Sequence, residues 1–133
     1  MNWSTCLLTR YRKNYSFKYP REQIQTTTGS LANIYSVNAI SFHPVHKNIF
    51  STAGSDGLFH FWDRDGKTRV KLFPEVGGPI SATGFSYTGD LFAYAVSYDW
   101  SKGFAFNTPD GVNTIMLHRV LDNELGLGKM RKR

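Results

Sequence analysis

Cysteine is all but missing from this chain of 133 residues, where Cys6 stands alone. A single thiol closes no internal disulfide and builds no cysteine-rich metal site, and it fits a reducing compartment such as the cytosol or nucleus. Long apolar runs are missing as well. Nothing approaches the roughly 20 consecutive apolar residues of a membrane-spanning helix, so no membrane insertion is expected. Cys6–Leu7–Leu8 is too short an apolar centre for a signal peptide. Acid is scarce relative to base: 10 Asp and Glu face 16 Lys and Arg, for a net charge of +6 and a pI near 9.6. That balance suits either an anionic partner (RNA, DNA, an acidic peptide, anionic lipid) or simply a solvated basic surface.

Catalytic constellations are equally lacking. There is no Ser-His-Asp order, no nucleophile elbow and no phosphate-cradling glycine loop. His43 and His46 flank Pro44, but no Asp, Glu or Cys sits at ligand spacing, so they read as a loop after a strand rather than a metal site. Nothing brings Asp99 and Asp122 together as an acid/base pair. No enzyme and no cofactor are expected.

What is present is alternation and tight turns. Residues 1–13 have no clear period and are left unassigned, as a disordered segment. Asn14–Lys18 alternates polar and aromatic residues and reads as one short strand. Tyr19–Asn33, with Pro20, three threonines and Gly29–Ser30, reads as a surface loop. Strands are then expected at Ser36–Phe42, Asn48–Gly54, Leu58–Asp63 and Arg69–Phe73, with corners at Asp56–Gly57 and Asp65–Gly66. The order repeats: strands at Ile80–Phe85, Leu91–Ser97, Gly103–Phe106 and Thr114–His118, with turns at Thr88–Gly89–Asp90 and Thr108–Pro109–Asp110–Gly111. Val37 and Ile80 lie 43 residues apart, and Phe50 and Phe92 lie 42 apart. That period, with Ala53–Gly54–Ser55–Asp56–Gly57 leading into Phe61–Trp62–Asp63, is the signature of WD repeats. The expected fold is all-β: about two antiparallel four-stranded WD-repeat blades of an incomplete β-propeller, over 34–76 and 77–119. The segment 14–33 supplies a strand of a preceding blade plus a loop. Asp122–Leu127 has the leucines of a helical turn, but Gly126 and Gly128 argue against one, so 120–133 is taken as a basic tail ending in Lys129, Arg131, Lys132 and Arg133.

Two groups of residues merit attention. In WD repeats an Asp in the turn between the second and third strands joins a Ser or Thr and a Trp in a hydrogen-bonded network. Thr52, Asp56 and Trp62 match those members, and Asp99 fits the turn position of the second repeat, so all four are expected to be structural. The stretch from Trp62 to Arg69 sets an aromatic ring beside the cations Arg64, Lys67 and Arg69, with Phe17 and Lys18 on the strand before this blade. Rings interleaved with cations suit single-stranded nucleic acid, since bases stack and cations meet phosphates. They suit an acidic peptide equally, and Trp62 and Phe17 could instead pack between blades. Trp100 and Lys102, in a loop where the second repeat departs from the first, form another candidate contact.

Beyond the generic repeat, Ile34–Tyr35–Ser36–Val37–Asn38–Ala39–Ile40–Ser41–Phe42–His43–Pro44–Val45–His46 and Gly78–Pro79–Ile80–Ser81–Ala82 resemble the last two blades of the WD-repeat poly(A) RNA export factors of nuclear pores. The most specific piece is Phe92–Ala93–Tyr94–Ala95–Val96–Ser97–Tyr98–Asp99–Trp100–Ser101–Lys102–Gly103, followed by Phe106–Asn107–Thr108–Pro109. That group includes related mitotic-checkpoint propellers. The resemblance implies a seven-bladed propeller that docks on a short motif of an FG-repeat nucleoporin and assists mRNA export at the nuclear pore. It is also linked to spindle assembly. Phe17, Trp62, Arg64, Lys67 and Arg69 then fall on positions similar to a nucleic-acid-facing groove, with single-stranded RNA as partner. Localisation would be nucleus, nuclear envelope and cytoplasm. The alternatives are a generic WD adaptor of checkpoint or ubiquitin assemblies and a truncated, non-functional paralogue. Two blades alone leave open strand edges, so self-association through those edges is a further expectation.

Overall fold

The computed structural model describes residues 22–127, which fold into nine strands in three antiparallel sheets, with no α-helix among the described residues. The first sheet is a hairpin of β1 (Glu22–Thr26) and β2 (Gly29–Asn33). The second is a four-stranded meander of β3 (Val37–Phe42), β4 (Ile49–Gly54), β5 (Phe59–Asp63) and β6 (Thr68–Leu72). The third holds β7 (Ile80–Phe85), β8 (Leu91–Val96) and β9 (Thr114–Arg119). The all-β reading and the repeat order hold, and most strand boundaries fall within a residue or two of those read from alternation.

Three expectations are corrected. Most of the segment read as a surface loop is the β1–β2 hairpin: the β-branched Thr26 closes a two-residue turn by donating from its hydroxyl to the Gly29 carbonyl at 2.5 Å. Glu22 secures the open end by accepting from Asn33 and from the Tyr35 hydroxyl. Next, Gly103–Phe106 is not a strand. Trp100 (φ 60°) and Gly103 (φ 80°) turn the chain aside into a single 3₁₀ turn, Phe104–Phe106. The second repeat therefore has three strands, and β9 takes the third position by pairing with β8. Finally, part of the supposed tail is core. Leu125 is buried among the aromatic rings, and Gly126, at φ 73°, lets the chain reverse within van der Waals reach of Val70. The Glu124 carboxylate accepts from the Leu121 amide and meets His118 Nε2 at 2.8 Å. The strand expected at Asn14–Lys18, with Phe17 and Lys18, lies outside the described residues, as does the terminal run of cations.

The second and third sheets stack with β3 beside β7. The space between the two sheets is filled by rings. Phe59, Phe61 and Phe73 from one sheet meet Phe85, Phe92 and Tyr94 from the other, with Phe61 5.3 Å from Phe92 edge-on and Phe59 5.0 Å from Tyr94. Each such ring buried contributes about 1.5–3 kcal/mol, with edge-to-face geometry adding to it. At one end of the stack His43 is a buried plug: its Nδ1 accepts from the Val45 and His46 amides and its ring lies 5.0 Å from Phe85. Gly89 leaves room for that ring, since a Cβ there would come within 2.3 Å of it.

On the outward side of the four-stranded sheet, Phe50, Thr52, His60 and Trp62 are all buried. Burial, reinforced by the Arg69 charge, pushes the His60 imidazole down to about 4 from its ordinary 6.5. Because the unfolded chain takes up this proton first, the stability it confers is complete above pH 6.5 and falls as pH drops toward 4. Denaturant midpoints measured from pH 7 to pH 4.5 are expected to fall by on the order of 2 kcal/mol in equivalent stability. His60→Leu should remove most of that slope, and an unchanged slope would place the titration elsewhere.

Candidate binding surfaces

The antiparallel order puts alternate turns at opposite ends of the stack, and each end has its own chemistry. One end carries the β3–β4 loop and the β5–β6 turn. Asn48 ties them: its side chain donates to Asp63 Oδ1 at 3.1 Å and its carbonyl accepts from the Arg64 amide at 2.7 Å. Asp63 Oδ1 also accepts from the Asp65 amide, which folds the turn back. Lys67, rather than Gly66, takes the left-handed conformation (φ 52°). The result is a rigid exposed corner bearing Arg64, Lys67 and Arg69, with Arg64 Nε 3.4 Å from its neighbour Asp65.

Trp62 does not belong to that exposed set. It is 7% exposed, its indole N–H donates to the Thr52 hydroxyl at 2.8 Å, and its ring lies parallel to Phe50 at 6.4 Å. A ring so enclosed offers no face to a base, in keeping with the alternative that it packs between blades, while Phe17, the other ring of the expected cluster, lies outside the described residues. Of its proposed network, Thr52 and Trp62 are thus joined directly, while Asp56 Oδ1 caps the tight turn by accepting from the Leu58 amide at 3.1 Å.

The opposite end carries the β4–β5 turn and the long loop after β8. Here Asp99 works between sheets. Its Oδ2 accepts from Asn38 Nδ2 at 2.8 Å and from the Ser55 hydroxyl in a very short contact, while Oδ1 accepts from the Ser101 amide at 3.1 Å. Desolvation would raise its pKa, but the hydrogen bonds from Ser55, Asn38 and Ser101 outweigh it and hold the carboxyl well below the usual carboxylate range. Asn38 also donates to the Ile80 carbonyl, and Ser41 to the Thr83 carbonyl, both at 3.0 Å. This line of polar contacts is the seam between the two sheets, and nothing in the local sequence announces it.

The loop beyond the seam presents aromatic surface. Trp100 is 59% exposed, 5.7 Å from the Tyr98 ring, and Lys102 Nζ sits 5.7 Å above Phe106. The Tyr98 hydroxyl donates to the Gly103 carbonyl and accepts from the Lys102 amide, fixing the loop's path. The sequence-derived candidates therefore separate: Arg64, Lys67 and Arg69 share one corner, whereas Trp100 and Lys102 lie at the far end of the strands. Among the described residues no cluster of three or more His, Cys, Asp or Glu is placed to hold a metal ion.

No protein-family model matches the chain. It is 55% identical over 111 residues to the mRNA export factor GLE2 of Chaetomium thermophilum, and 53% identical over 113 residues to the poly(A)+ RNA export protein of Schizosaccharomyces pombe. It is 50% identical over 109 residues to the WD40 repeat protein poxJ of Penicillium oxalicum. These matches cover 82–85% of this chain but only 30–31% of each relative, so the chain spans about a third of the length of the curated relatives it matches. At half identity or better over most of its sequence, and with the stacked repeat sheets already described, the chain is a homologue of about one third of the length of the WD-repeat mRNA export factors.

Proposed function

We propose that this chain is a non-enzymatic binding module of mRNA export, built from two repeat units at 34–76 and 77–119, acting at the nuclear pore and in the adjoining nucleus and cytoplasm. The observation that carries the proposal is the rigid corner of the β5–β6 turn, where Arg64, Lys67 and Arg69 are exposed on a chain related to RNA export proteins. Three cations on one hairpin suit the phosphates of single-stranded RNA, which spreads its charges along a flexible backbone. Base stacking is not supplied by Trp62, which is packed away. The corner therefore favours phosphate contact without sequence preference.

A second contact is assigned to the far end. Trp100, flanked by Tyr98 and Lys102 and held on a hydrogen-bonded loop, has the large half-rigid ring typical of peptide anchors. A short nucleoporin docking motif is the partner proposed there. A checkpoint or ubiquitin adaptor would keep the peptide contact and lack RNA binding.

Binding to fluorescent single-stranded RNA, titrated across salt concentrations, tests the first contact. Each phosphate neutralised contributes a slope of about −0.7 in log K against log salt. Replacing Lys67 and Arg69 by alanine together should flatten the slope by about 1.4 and weaken binding across sequences. A slope unaltered by both changes would remove the corner from RNA recognition. RNA binding that has no salt dependence at all would sink the proposal.

A further inference from the structure

The corner of the β5–β6 turn carries less charge than its three cations suggest. Arg64, Lys67 and Arg69 share it with the carboxylates of Asp63 and Asp65, so the hairpin by itself presents one net positive charge. Affinity for single-stranded RNA grows with the number of phosphates neutralised. A further cation stands on the neighbouring loop. Between β3 and β4 the Ile49 amide donates to the His46 carbonyl at 2.9 Å, which closes a turn with Lys47 at its exposed tip. This turn is fastened to the corner. The β4–β5 register ends with Ile49 opposite Asp63, and the Arg64 amide continues it by donating to the Asn48 carbonyl at 2.7 Å. The Asn48 side chain adds its bond to Asp63 Oδ1. One residue further along, Lys47 falls beside Asp65. The buried His43 ring holds the same loop through the Val45 and His46 amides.

We infer that Lys47 is a phosphate contact and that the site spans two loops, the β3–β4 turn and the β5–β6 turn, which rests on the RNA contact proposed for that corner. Lys47 raises the net charge of the two turns together from one to two. It stands on the β4 side of the hairpin, with Lys67 and Arg69 on the β6 side, two strand spacings or about 10 Å away. One flexible strand of RNA can therefore lay neighbouring phosphates on both flanks. Hydrogen bonds fix the backbone under Lys47, so seating its ammonium on a phosphate costs side-chain freedom and no ordering of the loop. Both turns leave the ends of the strands, along their axes, and not a sheet face against which a further repeat would stack. Local sequence gives no sign of the pairing, since Lys47 meets the corner only through the β4–β5 register.

Fluorescent oligouridylate titrated with the 133-residue chain across salt concentrations is the test. Lys47→Ala should flatten the slope of log K against log salt by about 0.7, the share of one phosphate. Added to Lys67→Ala and Arg69→Ala, it should bring the total loss to about 2.1. Lys47→Arg keeps the charge and should keep the parent slope. Val112→Glu, on the exposed loop at the far end of the strands, lowers the net charge equally and should leave the slope unchanged. A parent slope in Lys47→Ala, with Lys67→Ala and Arg69→Ala still flattening it, would overturn the role of Lys47 and leave the RNA contact of the corner intact. An equal effect of Val112→Glu would also overturn it, by tracing the slope to overall charge. RNA binding that is absent, or indifferent to salt, would overturn both. Lys47 is exposed, so far-ultraviolet circular dichroism of its variants should match the parent.

Discussion

Replacing Phe61 by alanine is expected to abolish the cooperative unfolding transition of this chain. Phe61 is fully buried, and its ring touches Phe73 at 4.9 Å, Phe92 at 5.3 Å, Phe85 at 5.6 Å and Phe59 at 6.0 Å. It is therefore the point where the two sheets meet. Removing a buried phenyl group costs about 3–5 kcal/mol through lost transfer free energy and the cavity left behind. A domain of this size has about 5–15 kcal/mol in all, and one whose Ile115 and Leu117 stay in solvent sits at the low end. The loss consumes most of that margin. Urea titration followed by near-ultraviolet circular dichroism should show a steep transition for the parent chain. For Phe61→Ala it should show a weak, shallow signal with β-type far-ultraviolet absorption partly retained. Phe104→Ala, at a ring 83% exposed, should leave the transition in place. A midpoint for Phe61→Ala close to that of the parent would mean that the sheets do not pack through this ring.

The next largest effect belongs to Asp99→Ala. The change strips the acceptor from Asn38, Ser55 and Ser101 at once. Losing the charged acceptor shared by the half-buried Asn38 and Ser55 costs about 1–3 kcal/mol, even though Asn38 keeps the Ile80 carbonyl and Ser55 keeps the Ser36 hydroxyl, and the loss falls on the seam rather than within either sheet. Its pH signature separates it from His60. The folded-state pKa of Asp99 is depressed below its ordinary 3.8, so its contribution is intact above that value and disappears only as pH falls further below it. His60 acts between 6.5 and about 4. A stability curve measured from pH 7 to pH 2 should thus descend in two stages. Asp99→Asn should flatten the lower stage and spare the upper one. If the lower stage persists unchanged in that variant, the carboxylate does not bridge the sheets.

Strands β3 to β9 were legible in the sequence because period-two alternation and Asp-Gly corners are local signals. The 42-residue spacing even places the partners that meet across the seam, since Asn38 donates to the Ile80 carbonyl and Ser41 to that of Thr83. What escaped was set by tertiary context. The Thr-rich hairpin was hidden by Pro20 and Gly29–Ser30, which read as loop. Gly103–Phe106 alternates like a strand, but the positive φ at Trp100 and Gly103 steers it away from the sheet. Leu125 is buried only because β6 and β9 leave a space that its turn fills. The site divides in the same way. Arg64, Lys67 and Arg69 could be placed on one corner from spacing alone, whereas the burial of Trp62 depends on Phe50 and Thr52 across the sheet. The bond from Asn38 to Asp99 spans 61 residues and carries no sequence signature.

The direct test of the stacked-sheet arrangement is nuclear Overhauser spectroscopy of the chain with selectively labelled phenylalanine and tyrosine. Cross-peaks are expected between the ring protons of Phe61 and Phe92, whose centroids lie 5.3 Å apart, and between those of Phe59 and Tyr94 at 5.0 Å. Sharp, assignable spectra in which both pairs are silent, or in which residues 37–119 show helical connectivities, would contradict it.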